Sequence, residues 1–417
     1  MRETDGSAST LTSKTPFPNN YAREVIEFSR GRGVWLQDRS GRKYLDLGAG
    51  IAVNALGYGN RELARVVARQ MRKLVHVSNL HTTTPSLELG ARLLDLASSV
   101  GREPFAAVHF GNSGAEANES AIKYARLWSY MEKGPGHHRI ICFENAFHGR
   151  TMGALSATPK EAYRRKFEPL VPGFDFVPWN DPVALEEAVG EDVAAIMVEP
   201  VQGEGGLKVL SPEMAETLNR ICRERRVLII CDEVQTGLGR LGTLFGSTLS
   251  GLKPDIITLS KPLAGGLPLS ATLIPAAIND RLEVGDHGTT FGGGPVTSAA
   301  ALYVLDRITA PSFLEHVRER AAELDAGLRR LRERYEWITG LPGTGMLRGM
   351  EIDLGPDQET ILPGIVPAAR DQGLLILRSG SNVIRLAPPL VISPRELTQG
   401  LGILDTVYQT INARRQS

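Results

Sequence analysis

A chain of 417 residues can bury a full core without disulfides or metals, and it has room for two domains or for one large and one smaller lobe. Its 47 basic and 47 acidic residues cancel, so no net charge draws it to nucleic acid or an anionic membrane, and a small molecule is the expected partner. The three cysteines, Cys142, Cys222 and Cys231, lie in or beside apolar runs without paired or metal-like spacing, which suits a reducing cytoplasm.

Residues 1–14 are rich in Ser and Thr, fit neither a secretory signal nor a membrane anchor, and read as a flexible tail. No apolar run approaches the roughly 20 residues of a spanning helix, so a soluble protein is expected. From Gly33 to Asp46 apolar and polar residues alternate around a Ser40-Gly41 turn, predicting an antiparallel hairpin. Six short apolar runs follow: Ala106–Phe110, Arg139–Phe143, Ala194–Val198, Val227–Cys231, Asp255–Leu259 and Leu269–Ile274. Separated by helical stretches and apolar on both faces, they predict an α/β fold with a mostly parallel sheet covered on both sides.

After Pro311 the spacing of Leu314, Val317, Ala321, Leu324, Leu328, Leu331 and Tyr335 predicts one long helix packed by a single face. A strand over Met346–Leu354, a helix, a hairpin-like pair near Leu374–Leu390 and a last helix opened by a Ser393–Glu396 capping box complete the chain. The expected organisation is a large domain over 71–307 and a smaller α+β domain built from both termini, 15–70 with 308–417.

Ligands of such sheets sit at the carboxyl ends of the strands, where two charged residues fall. Asp232 closes one apolar run and Lys261 closes another. Each alone reads as a surface lysine or a turn aspartate. Together they suggest a cofactor between an amine that can form a Schiff base and an acid that keeps a ring nitrogen protonated, which is the requirement of pyridoxal phosphate (PLP).

Gly111-Asn-Ser-Gly-Ala-Glu-Ala-Asn118 reads equally as a capping box from Ser113 to Glu116 and as a phosphate cradle of Ser113, Gly114 and Ala115 at a helix start. Phe147 could stack on a pyridine ring, and Arg150 could pair with a substrate carboxylate. Glu199 and Glu204 stand in an apolar, glycine-rich turn and need partners nearby. Gly237-Leu-Gly-Arg-Leu-Gly242 matches a dinucleotide fingerprint in letters only, because its first glycine does not end a strand. The eight histidines show no metal-binding spacing.

In this order, Gly111–Asn118, Phe147–Thr151, Val198–Gly206, Asp232–Gly237, Leu259–Lys261 and Thr289–Gly293 closely resemble the PLP-dependent aminotransferases of fold type I, subgroup III. The group includes acetylornithine, ornithine and 4-aminobutyrate aminotransferases, and the resemblance runs from about Tyr21 to Ala413. It implies that Lys261 carries the cofactor and shuttles protons, and that Asp232 partners the ring nitrogen. By the same likeness Val234 and Phe147 sandwich the ring, and Gln235 lies near its phenolic oxygen. Ser113, Gly114 and Ala115 hold the phosphate, and Thr290 reaches the phosphate of a neighbouring subunit in a homodimer.

The segments Gly50–Gly57, Leu74–Leu80 and Ser381–Leu390 look most like the acetylornithine branch. That implies N-acetylornithine as donor and 2-oxoglutarate as acceptor, with ornithine δ- or 4-aminobutyrate transamination as rivals. A binding protein that kept the scaffold without catalysis is the alternative of a different class. Arg150 with Tyr21 would anchor the donor's distant carboxylate, and Arg385 would bind that of 2-oxoglutarate or glutamate. Glu204 would neutralise Arg385 under the long donor, with Glu199 in the same pocket. Two departures stand out. Pro262 follows Lys261 and is expected to hold it extended, and Gly292-Gly-Gly-Pro295 replaces a more usual Gly-Gly-Asn-Pro.

Overall fold

A computed structural model describes residues 16–22 and 26–416. The tail expected over 1–14 lies outside the described residues. The large sheet has seven strands in the order Phe105–Gly111, Ser270–Pro275, Ile256–Leu259, Leu228–Asp232, Val193–Val198, Arg139–Phe143 and Phe174–Val177. Ser270–Pro275 runs antiparallel to both neighbours, and the other pairs are parallel.

Six of these strands grow from the apolar runs. The central ones, Val193–Val198 and Leu228–Asp232, are buried at every residue, as expected when both faces are covered. Phe174–Val177 escaped the sequence reading because it is an edge strand whose Asp175 faces solvent, which breaks the apolar run. The Gly114–Lys133 helix packs on the sheet through Ala117, Ala121, Ala125 and Trp128, all buried.

Both ends of the chain meet in a second sheet of Phe28–Arg32, Trp35–Asp38, Lys43–Asp46 and Leu374–Leu375. Trp35–Asp38 and Lys43–Asp46 form the expected hairpin. The hairpin-like pair expected near Leu374–Leu390 is present within narrower bounds. Leu374–Leu375 leaves it to pair in parallel with Lys43–Asp46, and the hairpin is Leu377–Ser379 with Val383–Leu386. The latter strand pairs with Leu347–Ile352.

The long helix, Pro311–Arg334, buries Val317, Leu324, Leu328 and Leu331 along one face. Ser393 and Glu396 close a reciprocal capping box ahead of the Pro394–Gln416 helix. Gly237–Gly242 forms turns, with Gly239 and Gly242 at positive φ, and no helix opens within it. Its Arg240 is buried and donates to the carbonyls of Met346 (3.1 Å) and Pro388 (2.6 Å), tying the loop after Asp232 to the segments that flank Arg385.

Candidate active site

Asp232 is the last residue of its strand and lies in register with Thr258 of the neighbouring strand, three residues before Lys261. The parallel sheet therefore brings acid and amine to one edge. Lys261 does not continue its strand as expected from Pro262. It opens a 3-10 turn, Lys261–Ala264, with φ of 33°, inside the left-handed region. The turn is closed by Leu263 N–H on the Ser260 carbonyl and Gly265 N–H on the Pro262 carbonyl, and Ser260 Oγ donates to the Leu269 carbonyl. These bonds hold a conformation that a lysine rarely adopts, the kind of local strain that clusters at functional sites.

Lys261 Nζ makes no hydrogen bond or ion pair among the described residues. Burial pushes its ammonium down to about 8; the charges of Glu204, Asp232 and Glu199 oppose this and that of Arg385 adds to it. An amine so placed is available as a nucleophile near neutral pH.

The Asp232 carboxylate is oriented on three sides. Oδ2 accepts from His148 Nδ1 and Asn118 Nδ2, both at 2.8 Å, and Oδ1 accepts from Val234 N at 3.0 Å. Asn118 also donates to the His148 carbonyl (2.7 Å) and accepts from Thr258 Oγ1 (2.8 Å). Burial works against charge on His148, yet the hydrogen bond and charge of Asp232, with Glu199 behind them, raise it above the usual imidazole value. Oδ1 carries one of the two hydrogen bonds it can accept, so the acid can still receive a ring N–H.

At the next corner Ser113 caps the Gly114–Lys133 helix, its Oγ accepting from Glu116 N at 3.2 Å. The reciprocal half of the capping box is absent. Glu116 turns instead to Asn112, whose backbone and side-chain N–H groups reach Oε2 at 2.5 and 2.9 Å. The N–H groups of Gly114 and Ala115 have no acceptor among the described residues and are open to an anion at the positive end of a 20-residue helix. A Cβ on Gly114 would meet Val234 Cγ1 at 2.7 Å, so glycine is what lets Val234 lie against this corner.

A third group surrounds Arg385. Its Nη1 donates to Glu204 Oε1 (2.5 Å) and the Gly203 carbonyl (2.7 Å), with Gln235 Oε1 at 3.5 Å. Arg385 is 2% exposed and Glu204 is partly exposed, so the pair stands at the boundary between protein and cavity. Glu199 accepts from Phe147 N (3.2 Å) and Gly203 N (3.3 Å), and burial pushes its carboxyl up to about 8. A cavity of about 430 Å³ opens on Phe147, Tyr163, Lys160 and Glu204. A larger one, about 710 Å³, lies on the N-terminal sheet against Arg30, Trp35 and Lys43 and touches none of these groups.

Arg150 is exposed, with its guanidinium 3.6 Å from the Tyr163 ring centroid and 5.6 Å from that of Phe147. Tyr21 is 71% exposed. Thr290 is exposed and makes no hydrogen bond among the described residues. The geometry thus gathers Asp232, Val234, Gln235, Lys261, Arg385, Glu199, Glu204 and Phe147, and leaves Tyr21 and Thr290 at the surface of the single chain.

Sequence reading gave no role to His148, Asn118, Thr258 or Tyr163. His148 and Asn118 lie inside the motifs that carry the resemblance, and a buried aspartate's need for donors was the signal that could have found them. The residues present fit PLP: an oriented acid with spare acceptor capacity, helix N–H groups cleared by a glycine, and a half-buried amine, the N–H groups and the amine without partners among the described residues.

This fold and this cofactor chemistry define a PLP-dependent aminotransferase of fold type I. The chain belongs to the class III aminotransferases, whose family model matches residues 17–408. It is 44% identical to the acetylornithine aminotransferase of Gloeobacter violaceus over 391 residues, covering 94% of this chain and 95% of that one. It is 42% identical to the acetylornithine aminotransferase of Caldanaerobacter subterraneus, covering 94% and 97%. Among solved structures, N-acetylornithine aminotransferase from Stenotrophomonas maltophilia superposes with a TM-score of 0.81 at 32% identity, covering 94% and 98%. Ornithine aminotransferase from Toxoplasma gondii superposes at 0.89 and 31%, covering 95% and 93%.

Proposed function

We propose that this enzyme moves the terminal amino group of N-acetylornithine to 2-oxoglutarate, giving N-acetylglutamate semialdehyde and glutamate, a step of arginine biosynthesis. The observation that carries the reading is the identity of 38–44% to acetylornithine aminotransferases along more than nine tenths of the chain. The pairing of the buried Arg385 with the half-exposed Glu204 supports it, because a site that alternates between a long donor and a dicarboxylate needs a cation that can be neutralised in place.

PLP, when bound, supplies an electron sink for the carbon that bears the substrate amine. Lys261 would anchor it and, as a free amine, would take the proton from that carbon at Nζ and pass it to the cofactor side, the 1,3-shift that transamination requires. Asp232, held by His148 and Asn118, keeps the ring nitrogen protonated, and Val234 and Phe147 bracket the ring with Gln235 at its edge. Ser113, Gly114 and Ala115 bind the phosphate. Arg150 and Tyr21 hold the donor's distant carboxylate, and Arg385 holds that of 2-oxoglutarate.

Thr290 completes the phosphate site of a second copy in a homodimer, which the exposure of Thr290 and Phe291 supports. The division into a large domain over 71–307 and a smaller one over 15–70 and 308–417 accords with the two termini sharing a sheet. No helix among the described residues is long and apolar enough to cross a membrane. Three buried free thiols accord with a cytoplasmic setting.

Product analysis tests the reaction. N-acetylornithine with 2-oxoglutarate should yield glutamate at a kcat/KM well above that for ornithine or 4-aminobutyrate, and the reverse order would reassign the donor. The pair has its own test. Glu204→Ala should lower the ratio of kcat/KM for N-acetylornithine over glutamate by about tenfold, since an unpaired buried guanidinium then lies under the long donor. An unchanged ratio would contradict that role.

A further inference from the structure

We infer that His287 is a positioning residue: it braces the first turns of the Gly114–Lys133 helix from the loop before Thr290, and through them sets the grip on the cofactor phosphate. This rests on the reading that Ser113, Gly114 and Ala115 hold that phosphate.

His287 is bonded at both ring nitrogens to that helix. Nε2 lies 2.9 Å from Ser120 Oγ and Nδ1 lies 2.9 Å from Lys123 Nζ. Lys123 also donates to the Asp286 carbonyl at 3.0 Å. Ser120 Oγ donates to the Glu116 carbonyl at 2.9 Å, and Glu116 N donates to Ser113 Oγ. A continuous chain of bonds therefore runs from the loop to the helix cap.

The donors fix its polarity. An ammonium only donates, so Nδ1 must accept from Lys123 and the ring proton must sit on Nε2, pointing at Ser120. Ser120 Oγ then accepts from His287 and donates to Glu116. Only the neutral Nε2–H imidazole satisfies every member of the chain. A second proton would fall on Nδ1, directly against Lys123 Nζ.

The surroundings favour the neutral ring. The His109 ring lies 4.6 Å away between centroids and that of Tyr124 5.6 Å, both without formal charge at neutral pH. Lys123, Glu119 and Arg126 are the charged groups on the same helix, and Asp286 is the charged neighbour on the loop. Burial, then Lys123, holds His287 below the usual imidazole value, with Glu119 opposing. Burial, His287 and Lys123 hold His109 down to about 4. Because the native value is lowered, the brace is complete above the ordinary histidine value and opens as pH falls through the lowered one.

The test is PLP release from the holoenzyme during dialysis, followed by protein-bound visible absorbance. His287→Gln keeps an acceptor for Lys123 and a donor for Ser120 without titrating, whereas His287→Leu removes both. At pH 7.5 the glutamine variant should release PLP within about twofold of wild type and the leucine variant about tenfold faster. As the pH is taken down from 7.5 through the lowered histidine value, wild type should accelerate relative to the glutamine variant. Equal release from all three proteins across that range would overturn the inference. Ser113→Ala separates it from the reading beneath: if Ser113→Ala speeds release and His287→Leu does not, only the brace fails. If Ser113→Ala itself changes nothing, the phosphate assignment fails and takes the brace with it.

Discussion

Lys261→Ala is expected to fold, to bind PLP without covalent capture, and to lose about 10⁴-fold in transamination, the upper range for a positioned proton-transfer group. Alanine removes both the anchor for the cofactor and the base that moves the proton, so neither half-reaction has a substitute inside the chain. The same residue sets a pH dependence. A free lysine amine ordinarily titrates at 10.5, and burial lowers this one to about 8, so it is charged below that value and neutral above it. The rate at which apoprotein captures PLP should climb about tenfold per pH unit up to about 8 and level off above it. Stopped-flow absorbance reads both results. Wild-type turnover in Lys261→Ala, or capture that keeps climbing to pH 10, would contradict the assignment.

Asp232→Asn is expected to lower kcat by about 10²–10³-fold, the loss typical of removing one preorganised electrostatic group. Asparagine fills the same volume and its one oxygen can still accept from His148 and Asn118, with the Val234 N–H bond lost to the amide NH2, so the fold is expected to survive. What disappears is the negative charge that keeps a ring nitrogen protonated. An independent readout is the imidazole of His148, which the Asp232 hydrogen bond and charge raise. In Asp232→Asn its titration, followed by NMR, should move down from the wild-type value. A variant with unchanged kcat would remove Asp232 from the chemistry.

The parallel core was legible because strands buried on both faces must be continuous apolar runs, and Val193–Val198 and Leu228–Asp232 are buried at every residue. Asp232 and Lys261 were legible for the same reason, as charges that end such runs. The edge strand Phe174–Val177 was not, since one solvated face breaks the pattern. Nor was the left-handed backbone of Lys261, which the hydrogen bonds of its own 3-10 turn hold against the usual preference before proline. His148, Asn118 and Thr258 surround Asp232 from three separate elements, so no local pattern joins them. The Glu204–Arg385 pair spans 181 positions. The family resemblance carried it into the sequence reading, and spacing alone would not have.

The central claim is that this chain holds PLP on Lys261 and exchanges its amino group with N-acetylornithine and 2-oxoglutarate. Purified holoenzyme should be yellow, bleach on addition of N-acetylornithine alone, and regain its colour on addition of 2-oxoglutarate. Absence of colour after added PLP would contradict the account, as would colour that responds to 4-aminobutyrate or ornithine but not to N-acetylornithine.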